Sequence, residues 1–138
     1  MTFILDTNAV SALMKGDAAT VARLAETNPA DVSVPQPVLA EIAYGIERLP
    51  RSKRRTRLLE RFNLVKAGLA RSEWSDDVSG AFGRIKATLE ARGQRIEDFD
   101  AAIAAHALAA GATLVTSNRD HMLRVTGLRV EDWSSLGA

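Results

Sequence analysis

Thr2-Phe3-Ile4-Leu5-Asp6-Thr7-Asn8 is the stretch on which the fold turns. Residues 2–5 form a short apolar run rich in large side chains and ended by an acid, the pattern of a buried strand. Val10, Leu13 and Met14 then follow at helical spacing until Gly16 stops them, so the strand runs straight into a helix over residues 8–15. Outward from this unit the same alternation repeats. Residues 32–34, 113–116 and 128–130 read as further strands, and residues 18–27, 37–49, 52–65, 72–92 and 98–110 read as helices. Pro50 and Gly93 act as stops, and Gly111 caps the last helix. Strands alternating with helices predict an α/β domain, with a mostly parallel central sheet of about four to five strands and helices on both faces.

The 138 residues make one domain, 1–138, without repeat, low-complexity tract or linker, and large enough to bury a core unaided. The absence of cysteine excludes disulfide frameworks, cysteine zinc sites and thiol nucleophiles. No run approaches the ~18 apolar residues that span a bilayer, and no basic leader precedes Phe3, so a soluble, cytoplasmic protein is expected. Eighteen basic and 17 acidic residues give a net charge of +1, but the distribution is lopsided. Arg48, Arg51, Lys53, Arg54, Arg55, Arg57 and Arg61 stand against Glu60 alone, a stripe that attracts phosphate backbones or merely solvates a helix.

Open parallel sheets place ligands beyond the carboxyl ends of their strands. Asp6 lies there, able either to cap the next helix or to face the crevice. Glu41 has Pro37, Val38, Tyr44 and Gly45 three and four residues away, so an apolar setting is expected for it, or a side chain snorkelling to water. Asp100 stands in the first turn of the alanine-rich helix with Ile103, Ala104 and Ala107 along its face; Glu97 or Asp98 is expected to cap that helix. Ser117-Asn118-Arg119-Asp120-His121 follows another strand, where Asn and Asp also serve turns. Like charges about 4 Å apart repel by roughly 4 kcal/mol at an effective dielectric near 20, so converging Asp6, Glu41 and Asp100 calls for a cation. Hard oxygen ligands suit Mg²⁺ or Mn²⁺, and an acidic pocket beside a basic segment reads as metal-assisted phosphodiester hydrolysis.

Leu5-Asp6-Thr7-Asn8, Ala40-Glu41-Ile42-Ala43-Tyr44-Gly45-Ile46, Asp100-Ala101-Ala102-Ile103-Ala104-Ala105 and Val115-Thr116-Ser117-Asn118 resemble, in order, the motifs of PIN-domain ribonucleases. More narrowly, the chain resembles the VapC toxins of type II toxin–antitoxin pairs, down to the closing residues 127–133. The resemblance implies that Asp6 and Asp100 are the principal Mg²⁺ ligands and that Glu41 completes the acidic centre through water. Asn118 takes the family's Asn-or-Asp position. Relatives often carry an acid or histidine three places on, here His121, with Asp120 one place earlier, so Asn118, Asp120 and His121 stay open as the group completing the site. Thr7, Asn8, Thr116 and Asp120 are expected to support the carboxylates. Arg48, Arg51, Lys53, Arg54 and Arg55 are expected on the RNA backbone. The resemblance further implies an RNA substrate, a VapB-like antitoxin and a homodimer.

Rival readings fit less well. An aspartate-nucleophile phosphatase wants an acid where Asn8 stands, and a receiver domain wants a late lysine, whereas none follows Lys86. A GxSxG elbow and the Walker and dinucleotide glycine patterns are missing, and His106 reads as a helix-face residue. Gly80 and Gly83 mimic a GxxG clamp inside a helix. A non-catalytic RNA- or protein-binding module with a degenerate metal pocket is the alternative from another class.

Overall fold

The computed structural model describes residues 1–134. Residues 135–138, part of the single-domain expectation, lie outside the described residues. Five strands form one sheet: β1 (Phe3–Leu5), β2 (Val32–Pro35), β3 (Ala70–Ser72), β4 (Thr113–Val115) and β5 (Arg129–Glu131), in the order β3-β2-β1-β4-β5. Every pairing is parallel. The helices are α1 (Thr7–Met14), α2 (Ala18–Glu26), α3 (Gln36–Glu47), α4 (Lys53–Gly68), α5 (Asp76–Ala91), α6 (Asp98–Ala110) and α7 (Arg119–Met122).

The order records how the chain travels. It moves outward from β1 to β3 through α1 to α4, then returns across the sheet through α5 and α6 to β4, on the other side of β1. Right-handed crossovers place the outward and return helices on opposite faces. That reversal makes β1 and β4 the switch point, where a crevice opens at the carboxyl ends. Leu5 pairs with Val115, so Asp6 and Thr116 leave the sheet side by side, and the Asp6 amide donates to the Val115 carbonyl at 3.0 Å.

The central strands are mostly apolar because both faces are covered: Ile4, Leu5, Val34, Leu114 and Val115 are all buried. α6 earns its place beside them through small side chains. Residues 101–107 are buried without a break, and the helix contacts β1, β4, α3 and α5. Gly111, at φ 63°, closes α6, as Gly93, at φ 66°, ends the turn after α5, both in the left-handed region that glycine enters without strain.

Several expectations shift. Residues 70–72 form an unforeseen edge strand, and the helix expected from residue 72 begins at Asp76, because the Ser75 hydroxyl accepts from the Val78 amide and starts it there. Residues 119–122, read as a turn, make one short helical turn. Neither acid offered as a cap of α6 makes a side-chain cap bond; Asp98 pairs with Lys86 at 3.0 Å instead. His106 does lie on a helix face, but a buried one: its Nδ1 is 2.9 Å from the Ser72 hydroxyl, and the Trp74 ring meets it edge-on at 5.4 Å. Among the described residues no helix is long and apolar enough to cross a membrane.

Candidate active site

Asp6 occupies the junction of β1 and α1 and does two things at once. Its Oδ1 accepts from the Ala9 amide at 2.9 Å, capping α1, while the residue is only 3% exposed. Burial pushes its carboxyl up to about 6; the neighbouring Thr116 side chain and the Ala9 and Asn8 amides favour the anion, and the nearby Asp100 charge opposes it. The cap and site readings therefore describe the same side chain.

Asp100 enters from the first turn of α6. It is partly buried and its carboxyl is raised, chiefly by burial and next by Glu41, whereas His121 pulls the other way. Glu41 comes from α3, the helix that touches α6, and accepts a 2.6 Å hydrogen bond from the Thr7 hydroxyl across 34 residues of sequence. Asp6, Asp100, Glu41 and Thr7 thus form one electrostatically connected group at the crevice, with His121 in range. Two of its three acids are held where the charged form is disfavoured.

The strand β4 delivers the remaining groups. Thr116 is buried beside Asp6, and its hydroxyl oxygen accepts from the Asn118 amide at 2.9 Å. The Asn118 side chain makes a 3.2 Å hydrogen bond with His121 Nδ1, which links two of the three groups expected at this position. Asn8 serves Asp6 through its backbone, and its side chain is exposed. Asp120 is exposed on α7, and among the described residues no hydrogen bond or ion pair ties it to the carboxylates.

The donors are hard oxygens, and the anions at the crevice repel one another, which is the setting a divalent cation relieves. Among the described residues no three Asp, Glu or His side chains close round a point as a preformed metal cage. The residues fit the open kind of site, in which one or two carboxylates hold the ion and water and substrate complete it.

Basic residues divide by use. Arg55 donates to the Ile46 carbonyl at 3.2 Å and pairs with Glu47 at 3.2 Å, binding α4 to α3. Arg61 donates to the Met14 carbonyl. Arg48, Arg51, Lys53 and Arg54 are exposed, with the Arg48 guanidinium 5.7 Å from the centre of the Tyr44 ring. Lys15 lines the same cleft as Glu41 and was missed in the sequence, where it stands alone; its position four and eight residues after Ser11 and Thr7 is the signal that would have found it.

Comparison with known proteins bears on the family and the fold. The PIN domain family matches residues 3–128. A tRNA(fMet)-specific endonuclease VapC of Shigella flexneri is 33% identical over 135 residues, covering 96% of this chain and 98% of that protein. A ribonuclease VapC of Haemophilus influenzae is 31% identical, with 95% of this chain and 97% of the relative covered. Among solved structures, VapBC2 from Rickettsia felis, bound to a DNA fragment from its promoter, superimposes with a TM-score of 0.85 at 28% identity, over 97% of this chain and all of that one (100%).

Proposed function

The chain belongs to the PIN domain family and, within it, to the VapC ribonucleases, and from that premise we propose that it is a toxin endoribonuclease that hydrolyses RNA phosphodiester bonds with Mg²⁺, or Mn²⁺, held by Asp6 and Asp100. One observation carries the reading: Asp6, from β1, and Asp100, from α6, meet at the switch point of the sheet with raised pKa values, coupled through Asp100 to Glu41. Such a pair is unfavourable for folding, and a dication held by Asp6 and Asp100 would relieve the repulsion.

When bound, the dication activates water and neutralises charge on the phosphate. The chain's residues do the positioning. Capping of α1 fixes Asp6, and the packing of residues 101–107 fixes the helix that carries Asp100. Thr7 holds Glu41 by its hydroxyl, leaving the other carboxylate oxygen to orient the attacking water or take its proton. Asn118 and His121 stand at the rim, where they can contact the phosphate or the leaving oxygen. The likeness to VapC and VapBC proteins supports a VapB-like antitoxin as partner; pairing with a second copy and a cytoplasmic location are part of the same proposal.

Incubation of the purified chain with total RNA and MgCl₂, followed by sequencing of the new ends, tests this. Cleavage at defined positions is expected, lost with chelator and in Asp6→Asn and Asp100→Asn. RNA binding without divalent-dependent cleavage would instead make the chain a binding module.

A further inference from the structure

Two hollows lie beside the α3–α4 corner, and they differ in company. One runs from Thr7 and Glu41 along α1 to Lys15, with Arg48 and Arg54 on its far wall. The other is lined by Ser52, Lys53, Thr56 and Arg57 and includes none of the acidic-site residues. The long basic run of the sequence is therefore split by the fold, part of it opening onto the hollow that Glu41 lines and part of it not.

The first hollow has direction. Thr7 and Ser11 stand on one face of α1, the helix that Asp6 caps, and Lys15, its C-cap, continues their four-residue spacing. The eight residues of α1 span about 12 Å. Bases stacked about 3.4 Å apart would place on the order of three phosphates along that ridge. Lys15, Arg48 and Arg54 are exposed, and none enters an ion pair with another described residue. Arg55 and Arg61, from the same basic run, are by contrast spent on Ile46, Glu47 and Met14. Uncommitted cations ranged along a groove that begins at an acidic centre match a polyanion whose one linkage lies at that centre. Exposed cations on both walls also exclude a purely apolar occupant.

Resting on the nuclease reading for its direction, we infer that Lys15, Arg48 and Arg54 form a phosphate track that carries the RNA strand away from the cleaved linkage past Glu41, and that Lys53 and Arg57 lie off that path. Lys15 closes the far end. Arg48 is steadied by the Tyr44 ring, which limits the freedom it loses on binding.

The track is tested by binding in the absence of divalent metal, where cleavage plays no part. Fluorescein-labelled single-stranded RNA of mixed sequence is titrated with the full chain and with Lys15→Gln, Arg48→Gln, Arg54→Gln, Lys53→Gln and Arg57→Gln, each checked by its melting curve. The first three are expected to weaken binding by about 3- to 10-fold and to reduce the slope of log affinity against log salt by about 0.7 each, with the last two near parent values. Equal losses in all five variants, or losses confined to Lys53→Gln and Arg57→Gln, overturn the inference. Track-dependent binding with no cleavage under any divalent ion would uphold the track and remove the nuclease reading; cleavage with a neutral track does the reverse.

Discussion

α6 and α4 are both helices that carry the charge this site uses, and they are built in opposite ways. α6 buries every residue from 101 to 107 and holds Asp100 at its mouth, against the sheet. α4 buries only Phe62 and leaves Lys53, Arg54 and Arg57 in water, while Arg55 and Arg61 reach back to carbonyls of α3 and α1. Acid groups placed by the core are forced into positions their charge dislikes, as the raised carboxyls of Asp6 and Asp100 record. Basic groups placed on solvent cost folding little and act through their number. The acidic half should therefore trade stability for activity, and the basic half should do neither sharply.

The contrast is sharpest in turnover. Asp100→Asn should lower kcat by at least about 100-fold, beyond the 10- to 100-fold range of supporting residues, while Arg54→Gln changes mainly KM and by less than about 10-fold. Steady-state cleavage of one labelled RNA by both variants measures it, and comparable kcat losses would erase the distinction.

Stability should move the other way. Asp6 keeps its proton in the folded state up to about 6, against 3.8 when unfolded, so stability falls as pH rises through that window. The anion's penalty above it is at most about 3 kcal/mol. Asp6→Asn removes that penalty and can still cap α1, so without metal it should be more stable than the parent at pH 8 by about 1–3 kcal/mol in urea unfolding, the gain vanishing near pH 4. A destabilised variant at pH 8 would place the acid in a comfortable setting after all.

Thr7→Val keeps the shape of the side chain and removes the 2.6 Å donor from Glu41. A loss of about 10-fold in kcat is expected, with stability changed by about 1 kcal/mol or less. The smallest effect concerns His106, which meets Ser72 and Trp74. Burial lowers its pKa from 6.5, so the unfolded chain takes up a proton that the folded chain resists, and stability falls as pH drops below that value. His106→Gln should make that acid slope shallower in unfolding curves at pH 5 and 7 while leaving cleavage at pH 8 within about twofold.

What could be read from the sequence follows from how each element is specified. β1, β2 and β4 announce themselves by largely apolar runs, because a strand inside the sheet is covered on both faces, and the edge strand β5 does so only through Leu128 and Val130 beside the polar Arg129 and Glu131. Ala70-Arg71-Ser72 does not, since an edge strand owes its pairing to β2 rather than to its own composition. Asp6, Glu41 and Asp100 were legible through position: the end of a strand, an apolar helix face, and the first turn of a small-residue helix. The fates of Arg55 and Arg61 were not, because a basic run does not say which side chains fold back onto Ile46 and Met14 carbonyls. Lys15 escaped for the converse reason, its neighbours in the groove being brought there by α3 and α4.

The central proposal is that Asp6 and Asp100 would together hold a dication, and thermal unfolding against MgCl₂ concentration at pH 8 tests it most directly. The parent should gain stability as RT ln(1 + [Mg²⁺]/Kd), whereas Asp6→Asn and Asp100→Asn, though folded, should show no such rise. Equal stabilisation of all three proteins, or none in the parent, would contradict the account.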